Sequence, residues 1–120
     1  MKIVLQNKNL EIKASEINGI RVAEVTSEEM LIPDVRSGID LLVDVYYQDF
    51  EKIILDEKNI NPEFFNLKSG FAGEVLQAVS NFRLQLAIKG DYSKYKSKSL
   101  KDFMGESNQL GQICFVDSGD

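Results

Sequence analysis

Asn66-Leu67-Lys68-Ser69-Gly70-Phe71-Ala72-Gly73-Glu74 sets a hydroxyl, a lysine and several backbone N–H groups where an apolar helical stripe begins. A helix N-terminus carries unpaired amides and the positive end of the macrodipole, so such a segment favours anions. The chemistry on offer is the holding of a phosphate, or its acceptance at the Ser69 hydroxyl. Ser69 has two compatible readings: it caps the helix, or it serves a regulatory or anion-contacting role. A phosphate there would suit the helix dipole while changing the local charge by roughly two units. Lys68 beside Ser69-Gly70 has some likeness to a phosphate loop, but the glycine-rich spacing of a nucleotide-binding loop is missing. Gly70 and Gly73 have a second reading, as small residues that let the helix pack closely.

Other catalytic chemistry is scarce. The chain has no histidine and one cysteine, Cys114. That removes the commonest general base, every Ser–His or Cys–His relay and the usual zinc ligands. Cys114, inside Ile113-Cys114-Phe115-Val116, reads as a buried structural thiol. Asp40 and Asp44 stand at i and i+4, a spacing that reads as a solvated helix face before it reads as a cation site. An enzyme built here would use Asp56 or Asp91 as acid or base and Lys68 as electrophilic stabiliser. The expectation is instead a non-enzymatic protein with no metal and no cofactor.

The 120 residues fit one domain, 1–120, and their 43% apolar and 28% charged content is ordinary for a globular chain. No apolar run is long enough for a membrane span, and polar Gln6 to Asn9 cut short the apolar start expected of a signal peptide, so a cytoplasmic location is expected. A formal charge of −5 argues against nucleic acid as the main partner. Lysine nevertheless concentrates between Lys89 and Lys101, interleaved with Tyr92 and Tyr95. That segment is either a solvated loop and helix start or an anion-contacting surface.

The elements that must position these residues are legible in outline. Leu10, Ile12 and Ala14 alternate with polar neighbours, Asn18-Gly19 supplies a tight turn, and Ile20 to Thr26 returns, giving an N-terminal β-hairpin. Residues 1–9 are either an extra strand or a frayed leader. Asp34 caps a helix with Val35, Ile39, Leu42 and Tyr46 on one stripe. Lys52 to Asp56 is a short apolar run, the pattern of a strand covered on both faces. Asn61-Pro62 opens a brief turn of helix, and the main helix starts near Ser69, with Phe71, Val75, Ala78 and Phe82 on its stripe. Of Phe64 and Phe65, one ring belongs to the core and the other to the rim or an interface. Leu84 to Ile88, a helix from about Ser99, and a strand from Gln112 to Val116 complete the chain. Strands alternating with helices imply an α/β fold with a mixed, mostly parallel sheet. The hairpin leaves an edge that invites a second copy, with Glu11, Lys13, Glu16 and Arg21 as its protection.

Ligands of open parallel sheets bind beyond the carboxyl ends of the strands. The connections leaving that edge carry Asn59, Asn61, Lys68, Ser69, Gly70, Asp91, Tyr92, Tyr95, Lys98 and Ser99, the proposed anion- or partner-binding rim.

Three segments carry a resemblance: Gly19 to Val25, Phe64 to Gln77, and Leu86 to Phe103. They resemble a small bacterial family of unknown function, DUF4180, across about Asn18 to Asp117. More remotely, the element order is similar to STAS domains of bacterial anti-sigma-factor antagonists, in which a strand leads through an Asp-Ser-Ser-Gly turn into a helix and a serine of that turn is phosphorylated. Ser69-Gly70 takes the place of its last Ser-Gly, while Leu67-Lys68 replaces Asp-Ser and Asn61 to Asn66 lengthens the connection. The resemblance implies a STAS-like single domain and a regulatory, protein-binding role with Ser69 as the modified residue. The other reading is a small-anion or nucleotide receptor at the same rim.

Overall fold

The computed structural model describes the backbone of residues 2–5 and 8–117, and side chains from Leu10 to Asp117. The chain turns back at Asn18 and Gly19, whose φ angles of 52° and 84° are those a two-residue hairpin turn requires. Ile17 therefore pairs with Ile20, and β2 (Lys8–Ile17) runs antiparallel to β3 (Ile20–Thr26). Lys2–Leu5 forms β1, antiparallel to β2, which decides for an extra strand at the start of the chain; Met1, Gln6 and Asn7 lie outside the described residues.

Helices and strands then alternate: α1 (Val35–Tyr47), β4 (Lys52–Asp56), α2 (Phe71–Asn81), β5 (Gln85–Gly90), α3 (Lys98–Leu110) and β6 (Ile113–Asp117). The sheet follows chain order, β1-β2-β3-β4-β5-β6, antiparallel up to β3 and parallel from β3 onward. Right-handed crossovers that always step the same way put all three helices on one face. Ala23, Ile53, Leu86 and Ile113 stand in register on that face and join the core with Leu42, Val75 and Leu100 from the helices.

Among the described residues no helix covers the opposite face, which corrects the expectation that β4 is covered on both sides. Burial alternates along β4, with Ile53 and Leu55 buried and Ile54 only half-buried. On this second face Lys89 Nζ donates to Glu24 Oε2 at 2.9 Å. That bond is the main reason the Glu24 carboxyl is held below its ordinary range. Cys114 shares the face and is half-buried, not a core thiol.

Asp34 caps α1 as expected, its Oδ1 accepting from Ser37 N at 2.7 Å. The inward stripe of α1 differs from the expected one. Gly38, Leu41, Leu42 and Val45 are buried, whereas Tyr46 is exposed and Val35 and Ile39 are half-buried. Gly38 explains the rotation: a Cβ there would lie 3.0 Å from Ile32 Cγ2, so the helix approaches the preceding loop through its glycine.

Of the expected edge residues, Glu11 is paired with Lys2 of β1 and Arg21 lies within β3, whereas Lys13 and Glu16 stand on the stretch of β2 beyond Glu11, which among the described residues is paired on the β3 side only. The far edge, β6, is covered by α3 itself. Ser107 Oγ donates to Ile113 O, and the Asn108 amide accepts from Phe115 N at 2.6 Å and donates to Phe115 O at 3.3 Å.

Candidate functional site

At the carboxyl ends of β4 and β5 the chain avoids long loops by stringing together short 3₁₀ turns, each started by its own Asx or Ser side chain. Asp56 Oδ1 accepts from Lys58 N at 3.1 Å, Asn61 Oδ1 from Glu63 N at 2.9 Å, Asn66 Oδ1 from Lys68 N at 3.3 Å, and Asp91 Oδ1 from Ser93 N at 3.1 Å. These residues favour such turns because their short side chains copy a backbone acceptor. The Asp91 carboxyl is held below its ordinary range by the Ser93 hydroxyl first and the Ser93 amide second. Asp56 and Asp91, the alternative candidates for an acid or base had the chain been an enzyme, thus both serve turn geometry.

Ser69 lies one residue further from the helix than expected. Gly70, with φ of 79°, is the N-cap of α2, and the helix starts at Phe71. Ser69 Oγ accepts from Phe71 N at 3.1 Å and stands 2.9 Å from Glu63 O and 2.7 Å from Asn66 O, to which its hydroxyl donates. One exposed hydroxyl therefore ties the turn before it to the first amide of α2. Gly73 has open space where its Cβ would be, so close packing is not its role; Gly70 provides the left-handed turn.

The expected rim residues divide into two groups. Asn59 is fully buried: Nδ2 donates to Ser27 O at 3.0 Å and Glu29 O at 2.8 Å, and Oδ1 accepts from Asp56 N at 3.3 Å. Asn61 Nδ2 donates to Pro33 O at 2.9 Å, and Tyr92 OH to Ile88 O at 2.6 Å. Burial pushes the Tyr92 phenol far above its ordinary range, so it stays protonated. These three hold the rim together and are not open to a ligand through those atoms. Lys68 and Ser99, by contrast, share a groove of about 490 Å³ with Phe65, Asn66, Leu67, Ser97 and Leu100. Lys98 turns away along α3, its Nζ 2.9 Å from Asp102 Oδ2. Tyr95 borders a second cavity of about 270 Å³, which it lines with Met30, Glu57, Ile60, Phe65 and Lys94.

Sequence reasoning missed Glu57, the residue that joins the two rim connections. Its side chain is 13% exposed. Oε1 accepts from Asp91 N at 3.0 Å, and Oε2 from Lys94 Nζ at 3.0 Å and Tyr95 OH at 3.4 Å. The Lys94 ammonium is held above its ordinary range chiefly by that bond, and burial followed by the Glu57 charge does the same to the Tyr95 phenol. Beneath them Phe65 stacks on Tyr95 at 5.0 Å and meets Phe115 edge-on at 6.1 Å. Phe64 and Phe65 are both buried, Phe64 wholly in the core and Phe65 also lining both rim cavities. A signal was present in Gly90-Asp91: a strand-end glycine leaves room for a partner, and Glu57 fills it.

A family model described as Domain of unknown function (DUF4180) matches residues 17–120. The chain belongs to that family. Searches among curated proteins and among solved structures returned no match. The DUF4180 match takes in β3 to β6, all three helices and the whole rim. Among the described residues of this DUF4180 domain, no group of three or more Cys, Asp or Glu side chains is placed to hold a metal ion, and no helix is long and apolar enough to cross a membrane.

The Glu57 clamp leads to a first prediction. A Cβ at Gly90 would stand 2.7 Å from the Glu57 carboxyl group. Gly90→Ala is expected to lose about 2 kcal/mol by urea denaturation, since the carboxylate must leave its donors or the strand must shift. In a Glu57→Ala background the same substitution is expected to cost less than ~0.5 kcal/mol. Equal costs in both backgrounds would refute the clamp.

Proposed function

We propose that this domain is a non-enzymatic regulatory module of the bacterial cytoplasm, which binds another protein through the rim and is switched by phosphorylation of Ser69. The supporting observation is the double duty of one exposed hydroxyl, which donates to the carbonyls of the Glu63–Asn66 turn and accepts from the first amide of α2. A phosphoester keeps an acceptor for Phe71 N but has no hydroxyl proton. Modification would therefore release the turn while the helix N-terminus gains an anion it favours. The STAS-like order of elements supports the same reading by analogy, since a serine just ahead of a helix is the modified residue there.

The test is intact-mass analysis of the protein from its native cells, paired with quantitative pull-downs of wild type, Ser69→Ala and Ser69→Asp. The expected result is a phosphate-sized mass increase that Ser69→Ala abolishes, and a partner whose recovery Ser69→Asp changes. Unmodified protein together with identical partners for all three forms would overturn the switch.

The Lys68–Ser97–Ser99 groove favours a second reading, a receptor for a small anion or nucleotide. Thermal stabilisation by millimolar phosphate or nucleotide, lost in Lys68→Ala, would support it; a midpoint unmoved by those ligands would remove it.

A further inference from the structure

Exposed aromatic surface also occurs at the opposite end of the sheet, where α1 hands over to β4. Tyr47 is 75% exposed and Tyr46 43% exposed. Their rings meet edge to face at 5.4 Å, and Tyr46 is backed by Phe82 at 5.3 Å, so the pair is anchored through Tyr46. Together with Asp49, Phe50 and Glu51 they line a groove of about 450 Å³. The turn that shapes it reverses at Asp49, with φ of 68° and its N–H donating to Tyr46 O at 3.0 Å.

The charge at this groove has one sign of preference. The last turn of α1 contains no basic residue, so its carbonyl end is left to other cations. Asp49 and Glu51 add two exposed carboxylates. Arg21 meets this end of α1 from β3: its guanidinium lies 4.2 Å over the Phe50 ring and donates through Nη1 to Gln48 O at 2.6 Å, while only its backbone N–H reaches Glu51 Oε1, at 3.2 Å. Arg21 thus shows, one ring away, how a guanidinium uses an aromatic face and a helix C-terminus together.

We infer that the Tyr46–Tyr47–Asp49–Glu51 groove is a docking site for an arginine side chain in a basic segment of a partner protein. The tyrosine faces receive the guanidinium plane, and the carboxylates pair with its N–H groups. Nucleic acid and anionic lipid carry the wrong charge for this surface. The site shares no residue with the Ser69 rim, so it stands or falls independently of the proposed switch.

The experiment is an NMR titration of the ¹⁵N-labelled full chain with the capped peptide acetyl-Gly-Arg-Gly-Arg-Gly-amide and with its glutamate counterpart. The expected result is saturable shifts at residues 46–51 and 82 with the arginine peptide alone. Tyr47→Ala is expected to weaken binding about fivefold, and raised salt to weaken it further. Both Tyr47→Ala and Asp49→Asn alter exposed side chains, and their unperturbed amide spectra would report an intact fold. No shifts at millimolar peptide, equal shifts with the glutamate peptide, or shifts unchanged in the Tyr47→Ala/Asp49→Asn double variant would each overturn the inference.

Discussion

Replacing Asn59 by alanine is expected to lower the stability of the domain by roughly 3–4 kcal/mol, a large share of the total for a chain of this size. The side chain is fully buried and belongs to a single 3₁₀ turn, Glu57–Asn59, too short to hold its place without that side chain. Its amide donates to Ser27 O and Glu29 O, and its carbonyl oxygen accepts from Asp56 N. Truncation takes a partner from three backbone groups at once and leaves a cavity where the amide was. Asn59→Asp is expected to be worse, because an acceptor would then face two carbonyl acceptors and a charge would be buried. Urea denaturation checks both, with the midpoint falling and the slope unchanged. Hydrogen exchange should also quicken at residues 27–32 and 57–61, where Ile32 N donates to Asn59 O and Asn61 N to Ile32 O at 2.9 Å each. A loss below ~1 kcal/mol for Asn59→Ala would mean that water replaces the amide and that the rim is not anchored this way.

The same residue shows where sequence reading stops. Asn59 looks like a surface turn residue because asparagine ends strands and starts turns; its burial depends on carbonyls 30 and 32 residues away. Glu57 was passed over for its neighbour Asp56 for the same reason, since its partner Asp91 is 34 residues distant. Local chemistry, in contrast, was legible. Asn18-Gly19, Asp34 and Asn61-Pro62 act within three residues of themselves, and the turn or cap expected from each is present. The order of strands and helices followed from where apolar runs begin and end. Which face of each was buried did not always follow. Two adjacent stripes of α1 are comparably apolar, and Gly38, which reads as a helix weakener, marks the one that touches Ile32. In β4 an unbroken apolar run hid a one-sided sheet, because Ile54 is apolar although it faces away from the helices. For the rim, position beyond the strand ends was foreseeable from topology, while the division between residues that build it and residues that face outward was a matter of side-chain partners.

The second large effect is expected at the edge of the sheet. β6 is the last strand, and an open edge of this kind pairs readily with another chain. Here the Asn108 amide occupies the place of a neighbouring peptide, meeting both Phe115 N and Phe115 O, while Ser107 covers Ile113 O. Asn108→Ala is therefore expected to lose about 2 kcal/mol and to convert the protein into a species that associates with rising concentration, as seen by light scattering on a sizing column. Asn108→Asp keeps the acceptor for Phe115 N but gives up the donor to Phe115 O, so it should fall between wild type and alanine. Adding Val116→Lys to Asn108→Ala places a charge on the freed strand, where Val116 is already 43% exposed. If strand pairing causes the association, the lysine should abolish it without restoring the lost stability, because edge charge blocks pairing and cannot replace the two hydrogen bonds. Association that persists in the double variant would place the contact elsewhere, and an Asn108→Ala protein as stable and as dispersed as wild type would show that the edge needs no cover.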